Sequence, residues 1–146
     1  MDILIPIGAD HAGYGLKTDI INHFKDLGYQ FKDYGTYSSE SIDYPDYGHP
    51  VAKHVETYNS IGIVICGSGN GINMTVNKYQ KIRSALCWTS EIAALAKQHN
   101  NANILALPAR FISTKEALEI VNTFLNTEFE GGRHQNRVNK IPCQIN

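Results

Sequence analysis

The chain has 146 residues, with 13 lysines and arginines against 14 acidic residues and six histidines, for a formal net charge of −1. That balance offers no polybasic field for nucleic acid and no acidic tail, and no apolar run approaches the ~20 residues that span a bilayer. The length suits one domain over residues 1–146, three scattered cysteines make no disulfide framework, and Met1-Asp2 leads straight into a strand without a signal peptide, so the cytoplasm is the expected compartment.

The first segment, Ile3-Leu4-Ile5-Pro6-Ile7, reads as a short strand closed by Gly8-Ala9-Asp10-His11-Ala12-Gly13. Pro6 is an anomaly there, because proline cannot donate to a ladder. Leu16, Ile20, Ile21, Phe24 and Leu27 then recur at helical spacing, with Gly28 as the stop. Tyr29 to Tyr34 predicts a second strand, followed by a polar loop carrying Asp43, Tyr44 and Pro45. A helix starts after Pro45 or Pro50 and reaches about Tyr58. Ile61 to Cys66 is an unbroken apolar run, the pattern of a strand covered on both faces. A helix from Ile72 to near Tyr79 follows. Arg83 to Trp88 predicts the fourth strand, Glu91 to Gln98 a helix capped by Thr89 or Ser90 and stopped at His99-Asn100-Asn101, and Asn103 to Leu107 the fifth strand. Ser113-Thr114-Lys115-Glu116 fits a capping box for a long helix, Gly131-Gly132 breaks it, and Arg133 to Val138 forms a short last helix before a tail of about eight residues. Five strands alternating with helices predict an α/β fold, a doubly wound, Rossmann-like parallel sheet with helices on both faces.

The chain is organised around Cys66-Gly67-Ser68-Gly69-Asn70-Gly71. Cys66 ends the strand, and the turn behind it opens a helix whose first N–H groups lack intrahelical partners. Such a turn attracts anions. It could lower a cysteine pKa from about 8.5 into the roughly 3.5–7.5 range, making Cys66 a base, and it could hold a developing oxyanion, where one lost donor costs about 2.7–4 kcal/mol. A buried structural cysteine before a tight turn accounts for the same residues. No Gly-Lys-Ser/Thr closes the loop, so it is no nucleotide-phosphate loop of that kind, and glycine at every second position departs from the dinucleotide fingerprint.

In sheets of this type ligands gather outside the carboxyl ends of the strands. The polar residues expected there are Asp10, His11, Asp43, Tyr44, Cys66 to Gly71 and Arg110. Asp10 is also a natural helix cap, and Asp43-Tyr44-Pro45 a natural turn. His99-Asn100 precedes the fifth strand, which puts it at the opposite edge, where a second subunit would have to bring it to the site. Arg133 and Arg137, four apart on one helical face, suit either solvent or a phosphate clamp. Cys87 and Cys143 are assigned to core and tail. No His/Cys/carboxylate set shows metal-ligand spacing.

These segments together resemble the sugar-phosphate isomerase family that contains ribose-5-phosphate isomerase type B and the galactose-6-phosphate isomerase subunits. The resemblance runs from about Ile3 to Val138, on Gly8 to Gly13 with Leu16-Lys17, on Asp43-Tyr44-Pro45, on Cys66 to Gly71 with Asn77-Lys78, on His99-Asn100, and on Glu130 to Val138. It implies a cofactor-free, metal-free aldose–ketose isomerisation through an enediolate, on a phosphosugar, in a site shared between chains of a homodimer or dimer of dimers. Cys66 matches the proton-abstracting base. Gly67, Ser68, Gly69, Asn70 and Gly71 match the anion hole, with Ser68 where many members carry threonine. His99 matches the ring-opening acid with Asp10 beside it. His11, Arg133 and Arg137 match phosphate ligands, and Tyr44, Asn100 and Arg110 further substrate contacts. Some members place a glutamate base where Ile72 stands, so the cysteine branch is implied. Ala106 to Ala109, where a glycine is usual before Arg110, and Asn101, where aspartate is common, depart from the pattern. The implied reaction interconverts ribose 5-phosphate and ribulose 5-phosphate; a six-carbon galactose or allose phosphate isomerase and a non-catalytic phosphosugar-binding module are the alternatives.

Overall fold

A computed structural model describes residues 3–144. Met1 and Asp2, read above as leading into the first strand, and the last two residues of the expected tail lie outside the described residues. Within them the elements run β1 (Leu4–Ala9), α1 (Tyr14–Lys25), β2 (Gln30–Asp33), α2 (Pro45–Tyr58), β3 (Gly62–Cys66), α3 (Asn70–Val76), β4 (Ser84–Leu86), α4 (Ser90–Asn100), β5 (Ile104–Pro108), α5 (Thr114–Asn126) and α6 (Arg133–Asn139). The five strands form one sheet in the order β2-β1-β3-β5-β4, and every pairing is parallel.

This order dictates the layers. The connections through α1 and α4 step one way across the sheet and those through α2 and α3 step the other. With each crossover right-handed, the two pairs fall on opposite faces. Two apolar clusters bear this out. One joins Ile5, Ile7, Ile63 and Ile65 to Leu16, Ile20, Phe24, Ala93, Ile120 and Phe124 of α1, α4 and α5. The other joins Val64 and Ala106 to Val51, Val55, Ile72 and Val76 of α2 and α3. Ile63, Val64 and Ile65 therefore have no exposed surface at all, and each such side chain contributes about 1.5–3 kcal/mol on burial.

The Pro6 anomaly resolves through pairing geometry. Successive residues of a strand between two parallel neighbours address alternate sides, and Asp10 N–H donates across to Ile65 O at 3.1 Å, so the even positions of β1 face β3. The β1–β3 pairing starts only at Ile7 with Ile63. Pro6 thus turns its missing donor toward a rung that does not exist.

Several boundaries differ from expectation. α2 starts at Pro45, which suits a first-turn position, and carries Pro50 inside it. α3 starts at Asn70, two residues early, because Gly69 takes a left-handed φ of 76° that lets the chain enter the helix directly from the loop. β4 keeps only Ser84–Leu86, and Trp88 beyond it is half exposed. α4 continues through His99 and Asn100 and ends on Asn101, again left-handed. The capping box forms as read, with Ser113 Oγ accepting from Glu116 N–H and Glu116 Oε1 accepting from Ser113 N–H, both at 3.1 Å. No helix among the described residues is long and apolar enough to cross a membrane.

Candidate active site

The direction in which the connections step across the sheet reverses between β1 and β3, and both parallel strands release their carboxyl ends into the same crevice. Cys66 is the last residue of β3. The exit of β5 is zipped alongside it, with Ala109 N–H donating to Cys66 O at 2.9 Å and Arg110 N–H to Gly67 O at 3.0 Å. Arg110 consequently lies across Gly67, where a Cβ would come within 3.0 Å of its Nη1. On the other side the Tyr44 ring rests on Gly71, where a Cβ would stand 2.1 Å from Tyr44 Cε1. Glycine at 67 and 71 is what lets a cation and an aromatic ring close over the loop.

These groups enclose a cleft of about 510 Å³ lined by Tyr44, Cys66, Gly67, Ser68, Arg110 and Phe111, with Gly71 behind Tyr44. Cys66 is 5% exposed and shares apolar neighbours with Ile72 and Ala106, yet it lines this cleft. Ser68 is exposed at the mouth and its Oγ accepts from Asn70 N–H at 3.3 Å. The amides of Gly71 and Ile72 follow in the first turn of α3, where a helix has no internal acceptors.

Asp10 reaches the same crevice. Its N–H bonds Ile65 O, one residue before Cys66, and its Oδ1 accepts from Gly13 N–H at 3.1 Å. This bond closes the turn ahead of α1, whose N-cap is Gly13 with no side-chain cap, so the expected capping role of Asp10 is not taken up. His11 is held through Nδ1, which accepts from Ile42 N–H at 3.2 Å. The neutral ring therefore carries its proton on Nε2, as a donor suited to an anion. Behind them the fully buried Lys17 makes a two-oxygen ion pair with Asp33 at 2.6 and 2.7 Å, and Asp33 also accepts from Gly35 N–H, fixing the exit of β2 that leads to the Tyr44 loop.

The remaining candidates lie elsewhere. His99 and Asn100 end α4, ahead of β5, and Asn100 lines a hollow with Arg83 and Ser84 at the amino end of β4. Arg83 secures that helix end, its Nε donating to Asn100 O at 3.1 Å and its Nη2 to Asn101 O at 2.9 Å. Arg133 and Arg137 are exposed on α6, which packs on α4. The fold thus joins Asp10, His11, Tyr44, Cys66 to Gly71 and Arg110 at one edge. It sets His99, Asn100, Arg133 and Arg137 at the other.

Two residues at that second edge, Glu130 and His134, carried no role of their own in the sequence reading. His99 and His134 stack with ring centroids 4.2 Å apart and planes 13° from parallel, and Glu130 Oε1 stands 3.7 Å from His99 Nε2 and 3.6 Å from His134 Nε2. Glu130 and His134 are four apart, a spacing visible in sequence, but His99 arrives from a helix thirty residues earlier. The absence of ligand spacing in the sequence therefore did not predict this His/Glu/His grouping. Phe111, 74% exposed at the cleft mouth, was also missed; a lone phenylalanine between a strand end and a capping box was its signal. A roomier hollow of about 750 Å³ lies among Ile3, Leu4, Lys32, Tyr34, His54 and Tyr58. Burial there lowers the proton affinity of His54 and raises the Tyr34 phenol above its usual value, and the two rings bond each other at 2.8 Å, so this polar pair is satisfied internally.

The family model described as Ribose/Galactose Isomerase matches residues 5–141. This chain belongs to the ribose/galactose isomerase family. Among curated members, the ribose-5-phosphate isomerase B of Escherichia coli K12 is 42% identical over 138 residues, covering 94% of this chain and 93% of its own. The probable ribose-5-phosphate isomerase B of Mycoplasma pneumoniae is 44% identical over 139 residues, covering 94% and 91%. Among solved members of the ribose/galactose isomerase family, the ribose 5-phosphate isomerase of Thermotoga maritima superposes with a TM-score of 0.94 at 45% identity, covering 97% of this chain and 99% of that one. The ribose-5-phosphate isomerase B of Mycoplasma genitalium, solved with bound ribulose 5-phosphate, superposes with a TM-score of 0.93 at 42% identity, covering 97% and 95%.

Proposed function

We propose that this chain is an aldose–ketose isomerase that interconverts D-ribose 5-phosphate and D-ribulose 5-phosphate through an enediolate, with Cys66 as the base. The observation that carries the reading is a thiol at the floor of a cleft, one residue ahead of a loop whose amides turn into a helix start. Isomerisation moves a proton between C2 and C1 while the electron pair stays within the sugar, so the reaction calls for a base and an anion hole and for no electron carrier. In this proposal Cys66 takes the C2 proton of the open-chain aldose, negative charge develops on O1, and the Gly67 to Gly71 amides with the Ser68 hydroxyl stabilise it. The O2 proton then passes to O1, the C2–O2 bond becomes the carbonyl, and the same sulfur returns the proton to C1.

The ring must open first. We assign that step to His99 as acid with Asp10 as its partner. The phosphate falls to His11, Arg133 and Arg137, remote binding energy that holds the reacting carbons in place. Tyr44, Asn100 and Arg110 complete the contacts. Because His99, Asn100, Arg133 and Arg137 sit at the far edge from Cys66 within one chain, this reading requires a second copy to supply them, in a homodimer or dimer of dimers. The free cysteines Cys66, Cys87 and Cys143 fit a reducing cytoplasm.

The relatives named for ribose 5-phosphate support the five-carbon substrate, and the family description that includes galactose keeps a six-carbon phosphate as the second reading. Comparing kcat/KM on ribose 5-phosphate, galactose 6-phosphate and allose 6-phosphate separates the two. Proton chemistry itself is tested by incubating the protein with ribulose 5-phosphate in D2O. Deuterium entering C1 is the expected result, and a protein that binds the sugar without exchange would be a binding module.

A further inference from the structure

The His99, Glu130 and His134 cluster has a geometry that selects among its possible uses. Two nearly parallel rings with centroids 4.2 Å apart put a point midway between them up to about 2 Å out of each ring plane. A zinc ion about 2.1 Å from both nitrogens would stand almost above them, off their lone pairs. The Glu130 carboxylate oxygen stands 3.6 to 3.7 Å from the two Nε2 atoms, an ion-pair separation longer than a hydrogen bond, and faces both rings. The cluster therefore sets one carboxylate against two stacked imidazoles. It is also held there from behind, since Glu130 N–H donates to Gln98 O at 3.1 Å, which fastens the Glu130 backbone to the last turn of α4 beside His99.

Resting on the assignment of His99 as the ring-opening acid, we propose that Glu130 is a positioning residue for that acid, with His134 as the stacked plate that fixes the imidazole plane. His134 is nine-tenths buried and His99 is 39% exposed by side chain, so His99 is the member that can meet a substrate. The charged groups facing the pair are Glu130, Arg133 and Arg137, and adjacent imidazoles repel a second proton. Burial, then His99, then Arg133 hold the proton affinity of His134 down, while Glu130 alone acts the other way. Glu130 thus stands beside both imidazoles, and of the two rings His99 is the one that faces out.

Substrate chemistry provides a clean test. Ribose 5-phosphate is a furanose that must be opened, whereas ribulose 5-phosphate, its O5 blocked by the phosphate, is already open. The wild-type protein, Glu130→Gln and Glu130→Asp are compared in two assays: turnover of ribose 5-phosphate across pH, and exchange of the C1 proton of ribulose 5-phosphate with D2O. The expected result for Glu130→Gln is a roughly ten- to hundredfold loss of ribose 5-phosphate turnover, part of the 10²–10⁴ that a placed acid supplies. The alkaline fall of its pH profile should move to lower pH, C1 exchange should stay within about twofold of wild type, and Glu130→Asp should recover part of the loss. Equal loss in both assays would make Glu130 merely structural, and no loss in either would remove it from the mechanism. If the wild type itself exchanges no deuterium, the isomerase assignment fails instead, a result that no Glu130 variant can produce.

Discussion

At the carboxyl edge of the sheet, candidate groups are fixed by backbone. Cys66 ends a fully buried strand, its carbonyl and that of Gly67 are bonded to the β5 exit, and Asp10 is bonded to Ile65. At the amino edge, the candidates stand on helix ends and are held by side-chain stacking, with His99 and Glu130 exposed by 39% and 51% of their side chains. Abstracting a proton from carbon demands a base and oxyanion donors fixed within about half an ångström, and a sheet edge supplies that rigidity. Protonating a ring oxygen and grasping a phosphate tolerate exposed groups that another surface completes. Under the proposed function, the carbon chemistry falls to the first edge and ring opening, with part of the phosphate binding, to the second.

The sharpest way to break that assignment is Cys66→Ala. It should lower kcat by about 10²–10⁴ with little change in KM, and should abolish C1 exchange with D2O. Retained exchange would return Cys66 to the role of a core cysteine. A companion measurement uses thiols as reporters. Cys87 follows β4 at the same edge but is fully buried, and desolvation pushes its thiol up to about 12. At neutral pH its alkylation should be at least about a thousandfold slower than that of a free thiol near 8.5, and Cys143, which is exposed, should label at once. Ribose 5-phosphate should slow labelling of Cys66 alone, as peptide mapping would report. Protection of Cys87 and not Cys66 would place the ligand elsewhere.

Whether the two edges meet across chains is tested by mixing. Cys66→Ala chains and Arg133→Ala/Arg137→Ala chains each lack one edge. After co-refolding, random pairing in a two-fold dimer makes half the dimers mixed, each with one intact site, so about a quarter of wild-type activity should return. If both edges of every site came from one chain, a mixed dimer would contain no intact site and nothing would return.

The sequence made the carboxyl edge legible because its signals are local. An apolar run that stops at Cys66, alternating glycines and a strand-end Asp10 each occupy a few consecutive residues. The position of Tyr44 on Gly71 was not legible, since it depends on a loop folding back over twenty-six residues. Nor was the ion pair of Lys17 with Asp33, which reads as one helical and one strand charge until the fold buries them together. The amino edge was half legible. Its place opposite Cys66 followed from chain order, while the stacking of His99 on His134 required α6 to pack on α4, a tertiary fact with no local trace. Pro6 was a true anomaly by strand rules and became ordinary only when the first rung between β1 and β3 was located.

The smallest expected effect concerns how the carboxyl edge keeps its shape. The N-cap of α5, Ser113, stands three residues after Arg110, and the capping box is the reciprocal pair of Ser113 and Glu116. Ser113→Ala removes one acceptor and should cost about 1 kcal/mol in denaturant unfolding. Glu116 makes the cap pH-dependent. Hydrogen bonds from the Ser113 backbone, and then from its side chain, hold the Glu116 carboxyl below the usual carboxylate range. A carboxyl lowered in the folded chain contributes stability that is complete above its unfolded value and fades as pH falls through the lowered one. Wild type should therefore lose slightly more thermal stability than Glu116→Gln between pH 7 and acid, with the two curves converging at the acid end. Parallel curves would show that the cap carries no charge-dependent stability. Because Glu116 is exposed, the difference should be small and should shrink further in high salt. An activity loss larger than that stability change, in Ser113→Ala at neutral pH, would show that Arg110 depends on the cap for its place over Gly67.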